Sequence, residues 1–265
     1  MRRAECLEGG TALIILETVA VAFSMFSAIP MPQFNWNARN MRYSLCAFPL
    51  VGAAIALALW GWDLVCARLG LPAVLRGAGL CLAPVFITGG IHLDGYTDTC
   101  DALASHSGPD KRQEILKDPH LGAFAAIRLC VCFLADFALW TALPETRLPV
   151  LLGMFCLSRA LSGLALTVFP IRPGSGLARS FAEAADKKRV RAVLLALSIA
   201  LALLLLFMRA GETLLAALAV FLYYRRLCEK GFGGLSGDLA GWFLQTAELW
   251  MLAALVLRRY MEAAL

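Results

Sequence analysis

The chain has 265 residues, of which 60% are hydrophobic and only 16% are charged, and its mean hydropathy is +0.72. Soluble domains are about 45–50% apolar and about 25% charged, so this composition excludes an ordinary water-soluble protein and indicates a lipid bilayer as its surroundings. The net charge is +5, and the partners that we expect are the lipid bilayer and small-molecule substrates, with no nucleic acid. We predict one integral membrane domain over residues 1–265, because no long polar linker divides the chain.

Eight apolar stretches follow one another along the chain, and about 20 such residues suffice to cross a bilayer as a helix. They predict an all-α, polytopic integral membrane protein with about six to eight membrane helices. The predicted segments are residues 11–29, 45–62, 74–91, 121–143, 149–169, 190–208, 212–222 and 239–257. The first contains Glu17 and is expected to lie in the interface or re-enter. The seventh spans only if it extends through Tyr223 and Tyr224.

The distribution of lysine and arginine predicts which loops face the cytoplasm. If consecutive segments alternate across the bilayer, the loops at residues 30–44, 92–120, 170–191 and 223–238 share one side, with fourteen of the 24 lysines and arginines. Eight lie on the other side, so the first side is predicted to be cytoplasmic. The acidic N-terminal residues and the missing cleavage signal predict that no secretory signal peptide is removed.

The nine cysteines are scattered, without the paired spacing of a disulfide framework or a zinc site. We interpret them as small core residues.

Three aspartates form the most informative pattern. Asp94, Asp98 and Asp101 stand at i, i+4 and i+7 directly after an apolar run, so they fall within roughly 60° of one another on a helix. Three like charges on one face repel each other, and a divalent cation removes the conflict. Oxygen ligands suit magnesium, which also bridges substrate phosphates. The alternative is an acidic, solvated helix start.

All three histidines of the chain lie between residues 92 and 120. His92, two residues before Asp94, is the one that we assign a role, either orienting a phosphate or carrying a proton. The alternative is a hydrogen-bonded loop side chain.

Two further charged residues have open interpretations. Asp118 supplies a further carboxylate or caps the helix that follows it. Arg159 lies within an apolar run, and a buried guanidinium needs an anionic partner. That partner is a substrate phosphate or, in the competing account, an aspartate of the acidic helix.

Two glycine-containing stretches complete the candidates. Residues 231–238 form a glycine-rich turn that ends in Gly237 and Asp238, whose backbone N–H groups could approach a phosphate. The turn lacks the Lys-Ser or Lys-Thr of a P-loop, and a purely structural turn is the alternative. The basic loop at 172–189 is interpreted as a topology determinant near anionic lipid, and a role in gripping a nucleotide diphosphate stays open.

These motifs resemble those of one family. The stretch GGIHLDGYTDTCD at residues 89–101 closely resembles the acidic signature of cobalamin synthases, and the likeness extends along nearly the whole chain. Other matching elements occur in the family's order: FSAIPMP at 26–32, FPLVG at 48–52, KDPHLG at 117–122, Ser158-Arg159, GSGL at 174–177 and GGLSGD at 233–238.

The resemblance implies a magnesium-dependent membrane transferase of a substituted phosphate group. It would join adenosylcobinamide-GDP and α-ribazole, or α-ribazole 5′-phosphate, to give adenosylcobalamin or its phosphate, with release of GMP. By position, Asp94, Asp98 and Asp101 would hold the metal next to His92, and Asp118, Arg159 and Asp238 would line the site. The expected location is the cell membrane, inner or plasma, as a multi-pass protein with the active site on the cytoplasmic side. A homo-oligomer and contacts with other enzymes of the pathway stay open.

The chain departs from the family pattern at a few positions, which are Tyr96, Thr97, Ala102 and Pro119. None of these changes removes a charged group. The alternative families are CDP-alcohol phosphatidyltransferase-like enzymes and intramembrane prenyltransferases, whose aspartate patterns fit less well. A transporter is a third alternative, but the sequence lacks the internal repeats expected of one.

Overall fold

The computed structural model describes residues 2–118 and 120–264, so Pro119 lies outside the described residues. The described chain is helical, and its one isolated β-bridge joins Ile171 and Leu235 in parallel. The elements are α1 (Arg2–Phe26), α2 (Ala38–Met41), α3 (Ser44–Leu69), α4 (Ala73–Thr88), α5 (Ile91–Ala104), α6 (Pro109–Ile115), α7 (Ala123–Ala142), α8 (Leu148–Val168), α9 (Leu177–Ala184), α10 (Lys187–Phe207), α11 (Gly211–Arg226), a π-helical turn (Leu227–Gly231) and α12 (Gly237–Ala264).

Each of the eight predicted apolar stretches lies in a helix, which confirms the all-α class. Among the described residues, α3, α7, α8, α10 and α12 are long and apolar enough to cross a membrane, and α4 with α5 adds a sixth if the bent pair is one span. This count reaches the lower end of the predicted range. The first stretch, in α1, and the seventh, in α11, are not among these helices, because the apolar part of α1 is short and α11 has 16 residues. Helix α11 does extend through Tyr223 and Tyr224, as a crossing by the seventh stretch requires, and it continues into the π-helical turn.

Helix α8 lies at the centre of the bundle. In its apolar window 83% of the residues are buried, against 17% for α7 and 22% for α10. It packs against α3, α10 and α12. Gly52 of α3 allows a close approach, because a Cβ at that position would collide with the backbone of Phe155 on α8. The leucines and isoleucines exposed on α7 and α10 then face the hydrocarbon of a bilayer.

A sharp bend separates α4 from the acidic helix α5. The two helices meet at 96° across Gly89 and Gly90, which have φ values of +65° and +82°. Glycine adopts this left-handed backbone conformation without strain, whereas other residues are strained in it. The sequence predicts one apolar segment over residues 74–91, and the structure ends its first helix at this glycine pair.

Glycines also bring α5 against α12. A Cβ at Gly95 would lie 2.8 Å from the Cα of Asp238, and a Cβ at Gly241 would lie 2.8 Å from the carbonyl oxygen of His92. Both distances are too short for any side chain. The contact therefore requires glycine on each helix, and it places the acidic motif of α5 beside the first turn of α12.

Candidate active site

A cavity of about 380 Å³ opens where α5, the loop after α8 and the start of α12 meet. Four predicted site residues line it: His92, Asp94, Gly237 and Asp238. The loop at 172–178 also contributes to its walls. The structure thus brings together residues from three of the loops that were predicted to share one side of the membrane.

The three aspartates lie on the single helix α5, as their spacing predicted. Asp94 is exposed and lines the cavity, whereas Asp98 and Asp101 are partly buried and lie farther along the helix. Asp98 lies within reach of the charges of Asp94, Asp238 and Asp101. Within the described part of the chain, however, no three His, Cys, Asp or Glu side chains are close enough to form a metal cluster by themselves.

His92 is buried, with 5% of its surface exposed, and it lines the cavity. Neither Nδ1 nor Nε2 has a hydrogen-bond partner among the described residues. The ring lies 6.1 Å from that of Phe48, measured between centroids. Buried polar groups nearly always have a partner, so this side chain is free to bind a ligand or to accept a proton.

The glycine-rich turn is held in place by backbone contacts. Gly233 and Gly234 have φ values of +69° and +143°, which other residues rarely adopt. The amide of Leu235 donates to the carbonyl of Pro170 at 2.8 Å, and the side chain of Gln113 donates to the carbonyl of Phe232 at 3.1 Å. The turn therefore presents the N-terminus of α12, with its partial positive charge, at the cavity. One N–H of this first turn, that of Leu239, donates to the hydroxyl of Ser236 at 3.3 Å.

Arg172 is a cavity residue of the basic loop at 172–189, for which the sequence left open a role in gripping a nucleotide diphosphate. It is 5% exposed and lines the cavity, and its Nε and Nη1 have no partner among the described residues. Its backbone N–H donates to the carbonyl of Leu235 at 3.0 Å. A lone arginine in a loop of several basic residues carries no sequence signal of burial, so the position became visible only through the contact between the two loops.

Arg159 does not line the cavity, and the structure favours the structural ion pair over the predicted contact with substrate. Its guanidinium pairs with Glu248 of α12, rather than with an aspartate of α5. Its Nη1 also donates to the hydroxyl of Ser158 at 2.9 Å, and that hydroxyl donates to Glu248 at 2.8 Å. The charge of Arg159 reaches His92.

Asp118 also lies away from the cavity lining. Its side chain is 56% exposed and accepts a hydrogen bond from the backbone N–H of His120 at 3.0 Å, which holds the pKa of the Asp118 carboxyl below its ordinary value. It caps no helix, because the N-cap of α7 is Gly122. Gly122 packs against the carboxylate of Asp101. The motif at 117–122 therefore touches the acidic helix through its glycine.

A larger cavity of about 970 Å³ lies between α5, α7, α11 and α12. Its lining is mostly apolar and includes Tyr96, Trp242 and Trp250, with Arg128 as a charged residue. None of the predicted site residues borders it. We therefore assign the candidate active site to the smaller cavity.

Comparisons with known proteins agree with the motifs. The family model described as cobalamin-5-phosphate synthase matches residues 18–256. A protein of Lachnoclostridium phytofermentans named adenosylcobinamide-GDP ribazoletransferase is 40% identical over 237 residues, which cover 88% of this chain and 91% of the relative. Relatives of the same name from Clostridium perfringens and Pseudomonas fluorescens are 32% and 36% identical, over 89% and 81% of this chain and 95% and 88% of their own lengths.

No solved structure matches the chain significantly. The family match covers both the acidic motif and the glycine-rich turn, so it sets aside the phosphatidyltransferase, prenyltransferase and transporter alternatives. This chain belongs to the cobalamin-5-phosphate synthase family.

Proposed function

We propose that the chain is a magnesium-dependent adenosylcobinamide-GDP ribazoletransferase. It would join adenosylcobinamide-GDP to α-ribazole or α-ribazole 5′-phosphate and release GMP. One observation carries the proposal beyond family membership: the acidic motif and the glycine-rich turn, 140 residues apart in sequence, line one cavity. That cavity combines carboxylates for a cation with N–H groups for a phosphate.

The carboxylates fit magnesium by their chemistry. Magnesium usually keeps several waters and is held by one or two carboxylates together with substrate phosphates, so a preformed cluster of three side chains is not required. Asp94 and Asp238 line the cavity, with Asp98 close enough to feel both charges. These residues would hold the ion, which when bound neutralises the diphosphate and stabilises negative charge on the departing nucleotide.

The chain's own residues position the substrates and accept the proton of the attacking hydroxyl. A hydroxyl of the ribazole attacks the cobinamide phosphate, a new O–P bond forms, and the bond between that phosphorus and the bridging oxygen breaks. The bridging oxygen and its electron pair leave with GMP. His92 offers two ring nitrogens without a protein partner, so one of them can take the hydroxyl proton. An aspartate of the motif is the alternative acceptor.

The location follows from the same cavity. The loops that line it share one side if α11, which extends through Tyr223 and Tyr224 into the π-helical turn, also crosses the membrane. That side then holds fourteen of the 24 lysines and arginines, which supports a cytoplasmic active site in a multi-pass protein of the cell membrane, inner or plasma. Soluble nucleotide substrates would then reach the cavity from the cytoplasm.

The test is an assay of purified chain in detergent with adenosylcobinamide-GDP, α-ribazole and magnesium, in which GMP and adenosylcobalamin are followed together. We expect equimolar products that disappear with EDTA and return with added magnesium. Equal turnover with and without EDTA would show that the reaction does not require a metal ion. No product from well-folded protein, with either ribazole form, would overturn the function, and CDP-alcohols would be the next donors to test.

A further inference from the structure

The cavity contains polar side chains that the proposed mechanism does not use. Besides Arg172, the hydroxyls of Ser162 and Ser175 line it, and neither hydroxyl has a hydrogen-bond partner among the described residues. Ser162 is 1% exposed. Leaving buried donors unpaired costs about 1–3 kcal/mol each, so several such groups around one cavity indicate that their partner is a ligand.

Pairing with Asp238 does not account for Arg172. The charge of Arg172 reaches Asp238, yet no hydrogen bond or salt bridge joins the two side chains in the part of the chain that the structure describes. A carboxylate oxygen of Asp238 accepts the hydroxyl of Ser236 instead, at 3.3 Å. Other buried arginines do have carboxylate partners: Arg159 pairs with Glu248 and Arg76 with Asp63.

The backbone holds Arg172 in a fixed position. The bridge between Ile171 and Leu235 joins its loop to the glycine-rich turn. A Cβ at Gly234 would lie 2.6 Å from the backbone nitrogen of Arg172, so the two segments are in direct contact. A side chain that starts from a fixed backbone loses less freedom on binding a ligand.

The chemistry of these groups selects the ligand. A guanidinium presents a planar set of donors that matches phosphate oxygens, and serine hydroxyls add single donors. The same cavity holds carboxylates for a cation. Its volume of about 380 Å³ falls within the usual range for a small-molecule site.

We propose that Arg172, with Ser175 and Ser162, forms a phosphate-binding subsite that holds the phosphate of a guanosine nucleotide. The identity of the nucleotide rests on the proposed function, whereas the subsite itself rests on the unpaired donors. Arg172 is then a substrate-binding residue, and Arg159 a structural one.

The experiment measures binding of GMP to the purified full chain in detergent, with magnesium present and no second substrate. We expect Arg172→Gln to weaken GMP binding about tenfold to a hundredfold, because charge-assisted hydrogen bonds are lost. The matched control is Arg179→Gln in the following helix. Arg179 is exposed, pairs with Glu183 at 2.6 Å and does not line the cavity, so its removal should leave GMP binding unchanged.

Two milder variants cover the case in which Arg172→Gln fails to fold, as judged by its thermal unfolding. Arg172→Lys keeps the charge but not the planar donors, and Ser175→Ala removes one hydroxyl, so each should weaken GMP binding at least about threefold. Guanosine, which lacks the phosphate, should bind all folded variants as it binds the unmodified chain.

Unchanged GMP binding in a folded Arg172→Gln variant, or in both milder variants, would overturn the subsite. Equal loss of guanosine and GMP binding, or no GMP binding by the unmodified chain, would overturn it as well. The proposed function fails separately: no ribazole transfer by the unmodified chain would reject the reaction, whereas Arg172-dependent GMP binding would still support the subsite.

Discussion

Two buried arginines of this protein have opposite surroundings. Arg159 is 0% exposed and pairs with Glu248 inside the bundle, where Ser158 completes the network. Arg172 is nearly as buried, but it lines a cavity and lacks a carboxylate partner among the described residues. Burial alone therefore does not distinguish a structural charge from one that binds a ligand. The distinction lies in whether the chain itself supplies the partner.

The comparison predicts that cavity side chains determine activity and that the Arg159 network determines stability. The largest effect should come from Asp94→Asn, which we expect to lower turnover about a thousandfold or more, because the carboxylate charge that we propose to hold magnesium is lost. Thermal unfolding should hardly change, since Asp94 is exposed. Asp110→Asn, at an exposed position of α6 outside the cavity, is the control in the GMP-release assay. Normal turnover of the Asp94→Asn variant would contradict the proposed active site.

Arg159→Met should chiefly destabilise the protein. It leaves the carboxylate of Glu248 buried without its counter-charge, and breaking such a pair typically costs about 3–5 kcal/mol. Unfolding in detergent would measure the loss. The double variant Arg159→Met, Glu248→Met should recover most of it, because no charge is then left unpaired. Unchanged stability together with lost GMP binding would instead place Arg159 in the substrate site.

Gly95→Ala tests the contact on which the cavity depends. A Cβ would lie 2.8 Å from Asp238 and push α12 away from α5. We expect a loss of about 1–3 kcal/mol in unfolding free energy and a clear drop in GMP release. Gly61→Ala is the matched control, since a Cβ there meets nothing within 4 Å. Equal behaviour of the two variants would show that α5 and α12 do not need this contact.

The smallest effect is expected from Asp118→Asn. This carboxylate is exposed, bonded to His120 and absent from the cavity lining. Exposed pairs of this kind contribute little, so turnover and its magnesium dependence should change less than about threefold. A large rise in the magnesium concentration needed for turnover would restore Asp118 to the metal site.

The sequence predicted the helical segments and the shared face of the three aspartates well, because apolar length and helical spacing are local properties. It also placed His92, Asp94 and Asp238 among the site residues, and the structure brings them to one cavity. The sequence left open a nucleotide-binding role for the loop that begins at Arg172, but the burial of Arg172 at the cavity and the partner of Arg159 could not be predicted. Both depend on which loops and helices meet in three dimensions, and a single sequence gives little information on that.

The bend at Gly89 and Gly90 determines whether the acidic helix α5 can contact the start of α12. A straight helix from Ala73 to Ala104 would measure about 48 Å, far more than the hydrocarbon core of about 30 Å. Its acidic end would stand out in water, remote from the beginning of α12. The 96° bend instead turns α5 away from the axis of α4 and against α12. Two adjacent residues without side chains thus decide whether Asp94 and Asp238, which are distant in sequence, can line one cavity.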